Sequence, residues 1–556
     1  MKRKILVGVA WPYVNGDLHV GHLAGYLLPA DIFARYARLN GDDVLMVSGS
    51  DCFGTPITVE ADKKGVTPAE IVDIYHQKDL KLFLDILNLS YDIYTKTNHP
   101  NHIAVTQEFF LQMLSKDYIF KGTTKQYYST EDKKFLPDRY VEGKCSKCGF
   151  EPARSDQCDN CGRVLSEGEL ENPISKLTGS KVSLKETEHY FIDWPKLQER
   201  LLSYVDRASG NWKEWVRNET YGWLNQGLKP RAISRDLDWG VPIPVEKMKK
   251  EDVIDNFEHK RLYVWFDAVI GYYSASLLWA KEKASDWKEF WYGDNTKHYY
   301  FMGKDNLIFH TLFWPGQLMG MDEKLHLPDV VSINMFLNLE GKQFSKSRGV
   351  SIAIEEIVKT YGNDPVRFYL TYIMPELKDS SFSWQDFMDK NNDILVANLG
   401  NFIHRTLSIA KDDNLQDLNK INTESQVADE IVQAFKKSRK YLENCEFRNY
   451  LETVLELSSF GNKYLNENKL WELKKTNNTE YLKVLKQLFL IIAAIAQLIK
   501  PVLPESAKKI MNMSNLSDNN VWPEEKEIMN KIEESLSDIS IQESIKPLFE
   551  KIEIQK

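Results

Sequence analysis

The chain contains no apolar run near the roughly 20 residues that a membrane-spanning helix needs. Its longest wholly apolar stretch, Leu488 to Ala496, has nine, and it is expected inside a helical bundle. No secretory leader is expected either. Met1-Lys2-Arg3-Lys4 imitates its basic start, but the apolar segment that follows is short and gives way to Pro12, Asn15 and Asp17 without a small-residue cleavage site. The expected location is the cytoplasm. Excess positive charge is also absent: the net charge of the 556 residues is −9, which excludes coating nucleic acid by bulk attraction but leaves room for a local basic groove. Cysteine is scarce, and the chain has no internal repeat or low-complexity linker. The composition, 43% hydrophobic and 27% charged, still allows large cores in about three or four domains.

Of the six cysteines, four stand as Cys145-x-x-Cys148 and Cys158-x-x-Cys161, nine residues apart. Each pair, closed by Gly149 or Gly162, forms a tight turn that aims two thiolates at one point. Two such turns complete a tetrahedral sulfur site suited to zinc. Four thiolates leave no coordination place for substrate or activated water, so the metal is structural. Two disulfides are the alternative, and the lack of secretory features disfavours them. Zinc binding, on the order of 10 kcal/mol, can fold a loop-rich insert with little core of its own. Cys52 and Cys445 are isolated and read as packed side chains.

Near the start, Ile5 to Ala10 is an apolar run broken only by Gly8, as expected of a parallel strand buried on both faces. Asn15, Gly16 and Asp17 supply turn and cap chemistry, and a helical pattern runs on toward Leu39, where Asn40-Gly41 stops it. Pro29 should kink or split that helix. His19 and His22 share one face of the first turn, where unpaired backbone N–H groups and the dipole favour an anion. Gly21 between them leaves the backbone open to a flat ring such as adenine. Roughly 320 residues later, Gly341 to Gly349 forms a polar, cationic loop bracketed by glycines. It follows the strand-like Val330 to Asn338, so it can carry Lys346 to a triphosphate.

In this order and separation, His19-Val20-Gly21-His22 and Phe344-Ser345-Lys346-Ser347 resemble the two ATP motifs of class I aminoacyl-tRNA synthetases, His-Ile-Gly-His and Lys-Met-Ser-Lys-Ser. Further blocks narrow the resemblance to the methionyl-tRNA synthetases: Ala10-Trp11-Pro12-Tyr13, Gly49-Ser50-Asp51-Cys52-Phe53-Gly54, Phe135-Leu136-Pro137-Asp138-Arg139, Ser234-Arg235-Asp236-Leu237-Asp238-Trp239-Gly240 and Tyr263-Val264-Trp265-Phe266-Asp267-Ala268. The similarity extends over about residues 4 to 510. It implies activation of L-methionine by ATP to the adenylate, then transfer to tRNA(Met), with magnesium accompanying ATP and no role for a membrane or DNA. It implies ATP contacts from His19, Gly21, His22, Asp305, Ser345, Lys346 and Ser347, of which His19, His22 and Lys346 act on transition-state charge. Asp51 matches the residue that holds the α-ammonium. Trp11, Tyr13, Trp265, Tyr272 and His310 match the amino-acid pocket, and Asn401, Arg405 and Trp471 match the anticodon readers. Gln343 stands where the family has its first motif lysine, with Lys342 one place earlier; Trp11, Phe53, Val269 and Asn306 are further departures. The stretch Tyr127 to Asp132 lacks the cysteines of the second knuckle that some members carry, so one zinc is expected.

Two other readings remain at the sequence level: another class I synthetase, or a zinc-bearing RNA-binding relative without catalysis. The leucine, isoleucine and valine enzymes carry a much larger editing domain where this chain has roughly 110 residues, and intact His19, His22, Lys346, Asp51 and Asp305 argue for catalysis. The expected fold is α/β, with a Rossmann-like parallel-sheet catalytic domain, a zinc-knuckle insertion and then an α-helical bundle for the anticodon. The expected division is 1–117 and 231–330 for the two sheet halves, 118–230 for the insertion, 331–390 for the connector, 391–530 for the bundle and 531–556 for a tail. Many relatives append an oligonucleotide-binding dimerisation module after the bundle; this chain ends sooner, and a monomer is expected.

Overall fold

The computed structural model describes residues 2–136, 140–155, 158, 160–161, 165, 168–343, 351–518, 520–542 and 545–553. The first apolar run forms β1 (Lys4–Val9), with Ile5, Leu6, Val7 and Val9 wholly buried. β2 (Asp43–Ser50), β3 (Ile93–Lys96), β4 (Thr296–Gly303) and β5 (Val330–Asn334) complete a five-stranded sheet in the order β5-β4-β1-β2-β3. Every pairing is parallel. Such strands are covered on both faces, which is why they read as continuous apolar runs without alternation. The chain moves outward from β1 to β3, leaves, and returns as β4 on the other side of β1. That reversal opens a crevice beyond the carboxyl ends of β1 and β4.

The helix after β1 is divided as its proline requires. Val20–His22 is α-helical, Leu23–Leu27 makes a wider π turn, and Leu28–Leu39 resumes the α-helix with Pro29 in its first turn. A proline N–H is missing there at no cost to the ladder. The start differs from the sequence expectation: the residue that caps the helix is His19 itself, not one of Asn15 to Asp17.

Between the sheet halves, Ile119–Ser129 and Val182–Ile192 pair antiparallel along their whole length. At the far end Val141–Cys145 joins a small three-stranded sheet, whose core of Tyr127, Leu136, Val141, Ala153 and Leu170 is separate from the main core. This insert therefore has only a small apolar core of its own. Beyond the connector, the helices Ser425–Glu443, Phe447–Glu467 and Asn478–Leu498 pack together. The run Leu488 to Ala496 lies at their centre, at most 1% exposed. After the helix Ile528–Glu534 the tail returns to the start of the bundle, where Asn391 Nδ2 donates to the Glu550 carbonyl and Asn392 exchanges two hydrogen bonds with Ile552.

One buried joint ties these parts. Arg367, on the connector helix Asn363–Tyr372, meets Asp31 of Leu28–Leu39 at 2.7 Å and donates to the carbonyls of Pro501 and Val502. Burial alone would raise the Asp31 carboxyl, but Arg35 and Arg367 bring it down to about 2.

Candidate active site

The crevice at the strand reversal is a cavity of about 520 Å³. Each neighbouring strand delivers side chains to it from its carboxyl end: Trp11 and Tyr13 after β1, Asp51 after β2, Asp305 and Asn306 after β4, and Met335 and Phe336 after β5. His19, Gly21 and His22 enter from the helix start, and Trp265, Val269, Tyr272 and His310 close the remaining wall. The residues expected at the amino-acid and nucleotide sites, other than those of the 344–350 loop, therefore share one cavity.

The two histidines hold each other in place. Gly21 N–H donates to His19 Nδ1 and His19 N–H donates to His22 Nδ1, both at 3.2 Å, and the rings stand 3.9 Å apart. This is a capping box built from imidazoles. With Nδ1 accepting, the proton of each neutral ring sits on Nε2, which makes both rings N–H donors there. The turn is pinned from across the chain, since Val20 N–H donates to the Ile352 carbonyl at 3.1 Å and His19 bridges to Ala353.

The apolar wall is also pre-arranged. The Trp11 indole fills a slot between Gly49 and Gly271; a Cβ on Gly271 would lie 2.6 Å from the ring. His310 Nδ1–H donates to the Asn306 carbonyl at 3.0 Å, so its Nε2 accepts from the Tyr272 hydroxyl at 2.8 Å. Burial lowers the His310 pKa to about 4, and the ring is neutral. Trp265 stands at the mouth, half exposed, with Phe309 5.4 Å behind it. The pocket offers rings and a fixed neutral dipole, which suits an uncharged, polarisable side chain.

Charge is concentrated at one end. Asp51 is 4% exposed, and the hydrogen bond its carboxylate accepts among the described residues is a long one, 3.4 Å, from Phe53 N–H. Asp267 is fully buried nearby; neither carboxylate oxygen has a side-chain hydrogen-bond partner among the described residues, and His102 Nε2 is 3.7 Å away. Burial pushes His102 down to about 3, so it brings no positive charge. Burial, and then repulsion from Asp267, raise the Asp51 pKa well above the carboxylate range; burial does the same to Asp267. Two buried carboxylates without a cation form a strong site for an ammonium group. Asp267 lies in the Tyr263 to Ala268 block that carries the resemblance, but no role is expected of it there; its sign in the sequence is a lone acid within the apolar run Val264 to Ile270. Asp305 opens onto the cavity and is not a cap, since the cap residue there is Gly303 without a side-chain bond. The surrounding protein raises its carboxyl above the usual range.

Ser345, Lys346 and Ser347 lie outside the described residues, as do Phe344 and Gly349. Their flanks are described: Lys342–Gln343 pairs with Leu337–Leu339 on one side, and Ile352 to Ile354 meets the histidine turn on the other.

In the insert, the sulfurs of Cys145, Cys148, Cys158 and Cys161 all lie within 4.8 Å of one another. The separations Cys148–Cys158 of 3.6 Å and Cys145–Cys161 of 4.0 Å bracket the edge of about 3.8 Å of a tetrahedron with zinc–sulfur bonds of about 2.3 Å. Gly149 takes φ +70°, the left-handed turn that closes the first pair. Phe150 N–H beside Cys148 draws that thiol down to about 6, toward the thiolate a metal binds. The donor set fits zinc. Cys52 and Cys445 are buried, which pushes both thiols up to about 12, and they are packed residues.

In the bundle, Asn401 and Arg405 lie one turn apart on Asn401–Ala410. Arg405 sits 5.7 Å over the Trp471 ring and donates to Asn466 Oδ1 at 3.1 Å. Trp471 is 37% exposed, so its ring is presented to solvent and not packed as core.

Two family profiles match the chain: "tRNA synthetases class I (M)" over residues 5–407, and "Anticodon binding domain of methionyl tRNA ligase" over residues 417–555. Among curated proteins, the methionine–tRNA ligase of Thermomicrobium roseum is 41% identical, with 93% of this chain and 88% of that protein covered. That of Thermoplasma volcanium is 40% identical over 100% of this chain and 99% of its own. Among solved structures, Mycobacterium tuberculosis methionyl-tRNA synthetase in complex with methionyl-adenylate has a TM-score of 0.78 at 23% identity, covering 99% of this chain and 100% of that one, which speaks to the fold.

Proposed function

The chain belongs to the methionyl family of class I tRNA synthetases, and on that premise we infer that it activates L-methionine with ATP and transfers it to tRNA(Met) for translation. Convergence of the histidine pair, the buried carboxylates and the Tyr272–His310 wall on one cavity is the observation that supports this assignment of the site. Asp51 receives the α-ammonium, with Asp267 adding negative charge behind it. Trp11, Tyr13, Trp265, Tyr272 and His310 enclose the thioether side chain. The methionine carboxylate oxygen forms a bond to the α-phosphorus of ATP, and the bond to the bridging oxygen breaks as pyrophosphate leaves. His19 and His22 donate from Nε2 to phosphate oxygens as charge builds, a positioning and electrostatic contribution. Gly21 lets adenine approach the backbone, and Asp305 accepts from the ribose.

Lys346, flanked by Ser345 and Ser347, neutralises the β- and γ-phosphates, which magnesium accompanies. Ile352 is bonded to Val20, and the six residues back to Lys346 span at most about 21 Å. A terminal ribose hydroxyl of the tRNA then attacks the adenylate carbonyl and AMP departs. Asn401 and Arg405 read base edges, and Trp471 stacks an unpaired base. Cys145, Cys148, Cys158 and Cys161 hold one zinc, which when bound cross-links the insert. The sequence division at about 117, 230, 330, 390 and 530, a monomeric state and a cytoplasmic location belong to the same reading.

ATP–pyrophosphate exchange screened against all twenty amino acids tests it. Exchange dependent on methionine above all others is expected. Preference for another amino acid would make the chain a different class I enzyme, and no exchange with any would leave an RNA-binding relative.

A further inference from the structure

A second cavity, of about 410 Å³, lies behind the reaction pocket, and the two share a wall. In the segment after β4, Phe309 and His310 face the reaction cavity while Ile308 and Phe313 line the second one. The opposite side comes from the insertion: Trp223 and Gln226 at the end of the helix Glu214–Gln226, then Lys229 and Arg231. Arg231 lies 5.6 Å from the Trp223 ring and 5.1 Å from the Phe313 ring. It is partly buried, and among the described residues it has no carboxylate or carbonyl partner. Loss of water with no anion in exchange lowers its pKa. Among the described residues no acid lines the pocket, although the chain carries 80 acids against 71 bases.

A half-buried guanidinium sandwiched by rings, with a second cation beside it and no counter-charge, lacks an acceptor-rich planar partner. Nucleotides combine the two properties, a flat base and a phosphate. The rings also mark a route. Trp265 at the mouth of the reaction cavity is 5.4 Å from Phe309, Phe309 is 5.6 Å from Phe313, and Phe313 touches the Arg231–Trp223 stack. Transfer of the amino acid requires an RNA strand end to reach that mouth, and this is an adjoining surface with chemistry for unpaired nucleotides.

We propose that this pocket receives an unpaired nucleotide of the 3′ strand of the RNA substrate, its base against the Trp223–Arg231 stack and its phosphate at Arg231 and Lys229. The inference rests on the tRNA-charging function above and adds a binding subsite to it. A free mononucleotide has the same chemistry, so the test separates the two sources. Charging of tRNA and its equilibrium binding are measured for wild type, Trp223→Ala, Trp223→Phe and Arg231→Gln, with intact tRNA and with tRNA lacking its 3′-terminal unpaired nucleotides. Expected are a KM for tRNA raised about tenfold in Trp223→Ala and Arg231→Gln, recovery in Trp223→Phe, and methionine-dependent exchange at the wild-type rate. Truncating the RNA should weaken its binding to wild type about tenfold and to the two impaired variants hardly at all. Equal sensitivity of all proteins to truncation would overturn the proposal. So would AMP binding that Trp223→Ala abolishes while tRNA charging stays normal. Wild type that charges no tRNA would instead sink the function on which the subsite rests, and the subsite with it.

Discussion

Asp51→Asn should cost the enzyme its hold on the substrate ammonium, and the buried setting sets the size of the loss. Asp51 is 4% exposed with only a long backbone hydrogen bond to share its charge, so an incoming ammonium is its main partner. Removing one member of a buried ion pair costs about 3–5 kcal/mol. At about 1.4 kcal/mol per decade that is roughly a hundred- to several-thousand-fold in kcat/KM for methionine. The KM for ATP should change little. The pH profile carries the same logic. Burial and the Asp267 carboxylate raise the Asp51 pKa, and the ammonium requires the ionised form, so affinity for methionine falls as pH falls through that raised value. Asp267→Asn removes the repulsion, lowers the Asp51 pKa and moves the acid limb of kcat/KM to lower pH. Stability follows with a definite sign. An acid whose folded pKa is raised favours the fold while protonated, and that contribution disappears as pH rises through the folded value. Bound methionine supplies the missing cation, so the increase it gives in Tm should grow as pH rises through the raised Asp51 pKa. Pyrophosphate exchange as a function of methionine and pH, with thermal melts at each pH, measures all three. An unchanged methionine KM in Asp51→Asn, or an acid limb that stays in place in Asp267→Asn, would refute the reasoning.

His22→Ala should slow exchange by about 10²–10³, the usual effect of losing one transition-state donor, without weakening methionine binding; exchange at the wild-type rate removes His22 from the site. Tyr272→Phe leaves His310 Nε2 buried and unpaired, at about 1–3 kcal/mol, and denaturant melts should show a loss of that order together with a raised methionine KM. Metal analysis should return one zinc per chain, and none in Cys158→Ser; because the core around Cys158 is separate from the main one, far-ultraviolet circular dichroism of that variant should change little. Trp471→Ala should lower tRNA charging by about ten- to hundredfold and leave exchange intact, whereas equal loss in both assays would count against a base platform at Trp471.

The parallel sheet was readable in the sequence because burial on both faces leaves continuous apolar runs, as in Ile5 to Ala10 and Val330 to Asn334. Cysteine spacing was equally readable, since a tetrahedral sulfur cluster needs two short turns and little else. Less accessible were features made by unusual residues in ordinary roles. His19 caps its helix although Asn15 and Asp17 nearby are the stronger cap formers, because the chain stays extended through His19 at φ −118° and ψ 166°. Asp267 sits among apolar neighbours, and nothing local says that it faces Asp51. Trp223 is a single aromatic in the sequence, and it acquires meaning only from Arg231, which also lies against Phe313 of another element.

Most of what positions the site comes from contacts far apart in the chain. The histidine turn is held by Ile352, more than 300 residues away, and the helix that continues from it is fastened through Asp31 to Arg367, itself bonded to Pro501 and Val502. Such distances are affordable because loop-closure entropy grows only with the logarithm of loop length, about 0.6 kcal/mol for each doubling. Closing a 330-residue loop therefore costs about 3 kcal/mol more than closing a ten-residue one, within reach of a few buried hydrogen bonds at about 1 kcal/mol each. The Asp31–Arg367 pair contributes geometry more than stability. Two desolvated charges gain little net energy on pairing, but leaving either alone is costly, so the connector and the end of the bundle can dock against Leu28–Leu39 in one register. That register fixes the helix whose first turn carries His19 and His22, which explains why the motif names the chemistry while residues with no motif of their own decide where it happens.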